Sequence, residues 1–388
     1  MSFISNDNIS KGFSLRFNKQ PQLFIAPGRI NLIGEHIDYN EGIVIPAAID
    51  RHFEFAMAPS GNDKCNIYAD DFNEGVSFFI HDLNPGEAWI NFLMGVIDAF
   101  HRRGLAIGGV DCFFGGTIPS GAGLSSSAAL CSGFAFALNE LFHLGLDRLT
   151  LARIAQYAEH EFVGLKCGIM DQYASLFSQK DSVLLLDCRS LTHEVVPFNF
   201  SAYSILLIDT RVTHSLLSTA YNDRREACEQ GAKIIRKKHP EVNSLRDVTR
   251  AMLYESQDLL GEEIFIKCLF VEEEIGRAQK GGALLKNKDI TGFGELMYQA
   301  HWGLSKAYDV SCEELDFLVL LAEENKSVVI GARMMGGGFG GCTINLVSKN
   351  KEETFKEKVR QKYFATFKTE PIFYSIKLSD GVHSIRIP

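Results

Sequence analysis

The chain has 388 residues, 46% of them apolar and 22% charged, which is enough length for a large core and for two domains. A formal net charge of −9 argues against a nucleic-acid surface, but not against a local nest of backbone N–H groups for phosphate. Nine cysteines stand without a C-x-x-C pair, which makes neither a disulfide framework nor a zinc site and fits a reducing compartment.

The opening "MSFISNDNISKGFSLRF" has no basic stretch followed by an apolar core, and no apolar run approaches the roughly 18 residues of a membrane helix. A soluble, cytoplasmic protein is expected, with no nucleic-acid, membrane or obligate protein partner. Strands are predicted at "QLFIAPG" and "GIVIPAAI". Between them "APGRINLIGEHIDYNEG" (26–42) gathers Arg29, Glu35, His36, Asp38, Tyr39 and Asn40 among turn residues. Asn31, Leu32 and Ile33 are not solvent-loop composition. Dense donors and acceptors of both kinds suit a polyhydroxy ligand. A surface turn with an Arg–Asp ion pair is the other reading.

A strand at "VDCFFGG" leads into "GTIPSGAGLSSSAALCSGFAFALNELF" (116–142). Pro119, Gly121 and Gly123 break regular structure, and Leu130, Phe134, Leu138 and Leu141 then recur at helical spacing. Ser125, Ser126 and Ser127 are placed to cap that helix. Its N-terminus favours phosphate, glycines allow close approach, and a serine hydroxyl can reach Mg²⁺. This is neither a Walker A loop nor GxGxxG, and no G-x-S-x-G elbow marks a nucleophilic serine. On these residues alone, a capped helix and an anion site explain the stretch equally well.

A helix is predicted over 149–164, "LTLARIAQYAEHEFVG", where Glu159 reads as an ordinary solvated helix residue. "CGIMDQYASLF" (167–177) then sets a lone Asp171 in apolar surroundings, and a buried carboxylate needs a partner. With Arg29 in that place, Asp171 would be poised to accept a proton. A structural buried ion pair is the alternative.

Apolar strands follow at 182–188 and 204–212, joined by a polar connection around "RSLTHE" that suggests a boundary between domains 1–200 and 201–388. Helices dominate from Leu216 to about Glu324, interrupted near Pro240. "SVVIGARMMGGGFGGCTINLV" (327–347) reads as strand, glycine loop and strand, with a helix and a last strand after it. Strand and helix do not alternate regularly, so the class is α+β. Five glycines in "GGGFGG" exceed what a hairpin needs and suggest close backbone approach to a ligand. "RKKHP" (236–240) reads as a solvated helix end, and His101 and His301 lack metal-ligand spacing.

"GRINLIGEHIDYNEGIVIP", "PSGAGLSSSAAL" and "GARMMGGGFGGCTINLV" resemble, in order and spacing, the three motifs of the GHMP sugar and mevalonate kinases, the first being similar to the galactokinase signature. "CGIMDQ", "LLLDCRSL", "HSLLSTAYNDRREACE", "YDVSCEELD" and "LSDGVHSIRI" extend the resemblance over essentially the whole chain. It implies a two-domain ATP-dependent kinase, its site in the cleft between domains, that phosphorylates α-D-galactose at the C1 hydroxyl in galactose catabolism. By position, Asp171 would be the base and Arg29 its electrostatic partner. Glu35, His36, Asp38, Gly168 and Tyr221 would contact the sugar. Gly121, Ala122, Gly123, Leu124, Ser125 and Ser126 would wrap the phosphates of ATP, Ser127 and Glu159 would hold Mg²⁺, and Trp89 would pack on the adenine.

Three residues depart from the family pattern. Ile37 stands where galactokinases commonly have Thr and resembles the N-acetylgalactosamine kinase branch. Phe92 replaces a usual Tyr, and Met335 a usual Thr. Two alternatives accompany the reading: a kinase for a related sugar, and a catalytically silent sugar and ATP sensor. Such sensors can lose residues after the serine run, whereas Ala128 and Ala129 are present here.

Overall fold

The computed structural model describes residues 6–86, 89–119, 121–212 and 217–385. The first five residues of the opening segment and Leu216, the expected helix start, lie outside the described residues. After helix α1 (Asn6–Phe17), strand β1 (Gln22–Asn31) continues past Pro27, because the register against its neighbour shifts between Pro27 and Arg29. Such a bulge tolerates the missing proline N–H. Arg29 therefore stands on a strand, not in the turn, and its N–H bonds to the Leu124 carbonyl at 3.1 Å.

The first half continues through β2 (Ile43–Val44), β3 (Pro46–Pro59), β4 (Lys64–Ala69), β5 (Glu74–Phe79), α2 (Ile90–Arg102) and β6 (Val110–Gly116). Next come α3 (Ser126–Leu141), α4 (Arg148–Tyr157) and α5 (Met170–Phe177). Asp147 starts α4 by accepting the Thr150 N–H at 2.7 Å. The helix predicted over 149–164 changes character at its end, where a π-helical turn (Ala158–Val163) replaces the α-helix and carries Glu159. Turns of this kind are frequent at functional sites.

Strands β7 (Ser182–Asp187), β8 (Thr192–Pro197) and β9 (Tyr203–Asp209) follow. The polar connection after β7 is thus itself a strand, β8, paired antiparallel with β7. The helices α6 (Leu217–Arg236), α7 (Arg250–Glu255), α8 (Gln257–Lys286), α9 (Ile290–Lys306) and α10 (Glu313–Glu323) make up the helix-rich stretch. β10 (Val329–Met334), β11 (Cys342–Ser348), α11 (Glu352–Phe367), β12 (Ile372–Ile376) and β13 (His383–Ile385) complete the described chain.

Among the described residues the strands form three sheets, ordered β13-β1-β3-β6-β4-β5, β10-β11-β9-β12 and β2-β7-β8. Ile9 and Phe13 of α1 pack with Ala56 and Phe113 of the first sheet. A separate core joins Phe24, Phe55 and Phe114 of that sheet to Leu93 of α2 and Phe134 of α3. Leu206, Ile208 and Val347 of the second sheet pack with Leu318 of α10 and Phe355 of α11. The largest core joins the two halves, running from Ile30 and Leu32 through Leu184 and Leu186 to Phe270, Phe293 and Met334. No described helix is long and apolar enough to cross a membrane, and all nine cysteines are free thiols.

Candidate active site

Where β1, the loop before α3, the start of α5 and the β10–β11 loop converge, they enclose a cavity of about 430 Å³. Its lining includes Arg29, Glu35, His36, Asp38, Gly121, Gly123, Leu124, Ser125, Ser126, Ser127, Glu159, Asp171 and Tyr221. Residues as far apart in sequence as Arg29 and Gly341 are thus brought to one cleft.

Arg29 and Asp171 form the floor. The guanidinium donates from Nε to Asp171 Oδ1 at 2.6 Å and from Nη2 to Oδ2 at 2.9 Å, a bidentate pair, while Nη1 donates to the Gly123 carbonyl at 2.7 Å. Burial lowers the Arg29 pKa, but the charges of Asp171, Glu35 and Asp38 outweigh it and raise the value overall. The Ser125 hydroxyl also donates to Asp171 Oδ2. A carboxylate offers about four lone-pair positions. Three hydrogen bonds therefore leave one open, on Oδ1. The Asp171 side chain is 23% exposed against 5% for Arg29, so the carboxylate is the end that meets the cavity.

The serine run does not cap α3 as expected. Ser125 takes the N-cap position with φ 55° and ψ 52° and makes no capping bond, because its hydroxyl is engaged by Asp171. The first N–H groups of α3 are left without that cap, an arrangement suited to an anion. Ser127 Oγ instead donates to Glu159 Oε2 at 2.8 Å, and Gln172 Nε2 donates to Oε1 at 2.7 Å. Burial, with only neutral hydrogen-bond partners, pushes the Glu159 carboxyl up to about 7. A hydroxyl and a desolvated carboxylate side by side fit a hard cation such as Mg²⁺. Among the described residues no group of three or more His, Cys, Asp or Glu is arranged to hold a metal by itself.

In the turn after β1, Glu35 Oε1 accepts from Arg333 Nη2 at 3.0 Å and from the Gly336 N–H at 2.9 Å. Burial opposes its charge, yet Arg333 and Arg29 more than compensate and lower its pKa. His36 Nε2 lies 3.1 Å from the Gly337 carbonyl and must donate to it. Burial holds the ring pKa down to about 4, so the imidazole is neutral and Nδ1 accepts from Tyr39, 2.8 Å away. The Tyr39 hydroxyl then accepts from Tyr308 at 2.9 Å, and Tyr308 from the Cys228 thiol at 3.2 Å. Asp38 takes the N–H groups of Tyr39 and Met170, but burial and then the neighbouring Asp171 charge raise its pKa to about 7.

The third glycine loop meets protein backbone more than open space. A Cβ on Gly338 would stand 2.0 Å from the Val310 carbonyl, and one on Gly340 2.4 Å from that of Val212. Gly336 abuts Gly123, which stacks this loop against the phosphate-loop candidate. The glycine excess therefore answers mainly to packing within the protein, although Gly336, Gly337, Gly338, Gly340 and Gly341 also line the cavity.

Three expected site residues stand off the lining. Ala122 is fully buried beneath Gly341, and Gly168 lies against the carboxylate of Asp38. Trp89 is 8% exposed, its ring edge on to Phe114 and its Nε1 donating to Glu74 at 3.1 Å. The sequence reading missed Arg333 and Tyr308, both fully buried behind the site. The only sequence signal for Arg333 was a charged residue inside an apolar strand pattern.

Residues 11–59 match the galactokinase galactose-binding signature, 91–179 the GHMP kinases N terminal domain and 283–365 the GHMP kinases C terminal region. The galactokinase of Thermosipho africanus is 42% identical over 361 residues, covering 93% of this chain and 99% of that one. The chain belongs to the galactokinase family. The galactokinase of Thermotoga neapolitana is similar at 41% identity, with the same coverage. The crystal structure of Lactococcus lactis galactokinase complexed with galactose aligns with a TM-score of 0.94 at 30% identity, covering 98% of this chain and 99% of that one. The mevalonate kinase of Methanococcus jannaschii, at 16% identity, 93% and 99% coverage and a TM-score of 0.63, shares the fold alone. This galactokinase-family chain is a phosphotransferase of carbohydrate metabolism with the GHMP kinase fold, α+β as expected, with N- and C-terminal domains.

Proposed function

We propose that this galactokinase-family enzyme transfers the γ-phosphoryl group of ATP to the C1 hydroxyl of α-D-galactose, releasing galactose 1-phosphate and ADP. The observation that carries the reading is the Arg29–Asp171 pair, which lies between the sugar-signature turn and the uncapped start of α3. Oδ1 of Asp171 is the proposed proton acceptor as the sugar oxygen attacks phosphorus in line. Arg29 holds that carboxylate and the Gly123 carbonyl together, fixing the base relative to the phosphate loop. Glu35, His36, Asp38 and Tyr221 are the proposed sugar contacts, with Gly168 keeping Asp38 in place. Gly121 to Ser126 are the proposed phosphate cradle. Phosphoryl transfer needs mainly positioning and charge neutralisation, which N–H groups and cations provide.

Ser127 and Glu159 are the proposed protein ligands of Mg²⁺. When bound, that ion neutralises charge on the phosphates. Trp89 is proposed as the adenine neighbour on the sequence resemblance alone. Nucleotide-dependent quenching of its fluorescence, with Trp302 replaced, tests this, and no change on ATP binding would remove the assignment. A domain division near residue 200 and a cytoplasmic location complete the proposal.

ADP release with Mg-ATP against galactose, N-acetylgalactosamine, glucose, arabinose and mevalonate tests the function. Galactose should give the highest kcat/KM by a wide margin. Preference for another panel sugar would keep the kinase and replace the substrate. Absence of turnover with all five, while galactose and ATP still bind, would favour a sensor.

A further inference from the structure

We infer that Arg333 is a positioning residue for sugar recognition: it occupies one oxygen of Glu35 so that the other alone is presented to a sugar hydroxyl. Arg333 is fully buried, and each of its three guanidinium nitrogens donates to at least one acceptor. Nε donates to the Leu32 carbonyl at 2.9 Å, Nη1 to that of Met334 at 2.6 Å, and Nη2 to the Asn31 carbonyl and to Glu35 Oε1 at 3.0 Å. The guanidinium thus grips the end of β1 and the turn after it from β10, about 300 residues away.

The Gly336 N–H fills the other lone pair of the same oxygen, Oε1. Glu35 Oε2 has no protein partner among the described residues, while the side chain lines the cavity. An ionised carboxylate only accepts, so a hydroxyl donating to Oε2 is recognised by direction as well as place. A planar fork is required, because four acceptors lie around one group and lysine offers three tetrahedral donors. The same arrangement joins the sugar-signature turn to the third glycine loop, which itself rests on the phosphate loop.

The inference rests on Glu35 being a sugar contact, so the parent enzyme is the control. Kinetics are measured with whichever panel sugar the parent turns over best, which separates this test from the identity of the sugar. Arg333→Lys and Arg333→Met are compared with Glu35→Gln and with each double variant, after melting curves establish folding. The sugar KM should rise roughly 10–100-fold in either Arg333 variant, with kcat and the ATP KM within about threefold of parent. Adding Glu35→Gln should cost little more, because both changes remove one interaction. A folded Arg333 variant with parental sugar KM overturns the inference, as does an equal loss in the KM of both substrates. Failure of both variants to fold would make Arg333 a structural residue and overturn it too. A parent that turns over no panel sugar would remove the functional reading and this inference with it.

Discussion

Oδ2 of Asp38 lies 1.8 Å from the place a Cβ on Gly168 would occupy. The carboxylate fills the space left by the missing side chain, and no real Cβ tolerates such a contact. Gly168→Ala must therefore push Asp38 off its Tyr39 and Met170 N–H donors. The expected result is a galactose KM raised roughly 10-fold or more, with a smaller change in kcat. Steady-state kinetics at varied galactose decide the matter, and a parental KM would show that Asp38 does not contact the sugar.

Asp171→Asn keeps shape but removes the proposed proton acceptor. Its kcat should fall roughly 10²–10⁴-fold if general-base catalysis operates. Thermal melting should also show some loss, because Arg29 keeps its burial but loses its anionic partner. Near-normal turnover in a folded variant would take the base role from Asp171.

Asp38 and Glu159 both have folded-state pKa values near 7, raised chiefly by burial. In the unfolded chain such groups titrate at roughly 4. Between those values the folded state holds more protons, so stability falls as pH rises from about 4 to about 7 and is flat above that for these two groups. Glu159→Gln removes one of them. Relative to parent, its Tm should gain from pH 5 to about pH 7 and level off above that, and Mg-ATP should raise the parent more than the variant at pH 8. Parallel melting profiles across that range would contradict the raised Glu159 value.

Ile37 is fully buried and absent from the cavity lining. Its carbonyl closes the turn by accepting the N–H groups of Asn40 at 3.1 Å and Gly42 at 2.7 Å, and its side chain packs beside Gly42. Ile37→Thr should leave the preference between galactose and N-acetylgalactosamine unchanged while costing about 2 kcal/mol of stability. A shift in the ratio of the two kcat/KM values would show that this position reaches the sugar.

Much of the site was legible because its chemistry is carried by residue types that are costly anywhere else. A carboxylate in "CGIMDQ" needed a partner, and Arg29, 142 positions away, provides it. The strand at Val110–Gly116 was readable from an apolar run, interrupted at Asp111 alone and ended by glycines. β8 was not, because its outward face is exposed and the segment reads as polar connection. Arg333 escaped because three of its acceptors are main-chain carbonyls, which leave no trace in side-chain composition. The serines suggested caps, but tertiary contacts with Asp171 and Glu159 take two of their hydroxyls instead. The five glycines suggested a ligand, whereas two of them, Gly338 and Gly340, are required by neighbouring backbone at Val310 and Val212.

Strand β13 lies alongside β1, with Leu23 opposite Ile385. At roughly 5–20 residues per second, a ribosome makes Leu23 roughly 20–70 s before the residue that covers it. For that interval the outer edge of the strand leading to Arg29 has unpaired N–H and C=O groups and can template foreign strands. A chain released early would hold nearly every residue that lines the cleft yet keep that edge bare. Its fate would then be decided by chaperones and proteases before catalysis had any bearing on it.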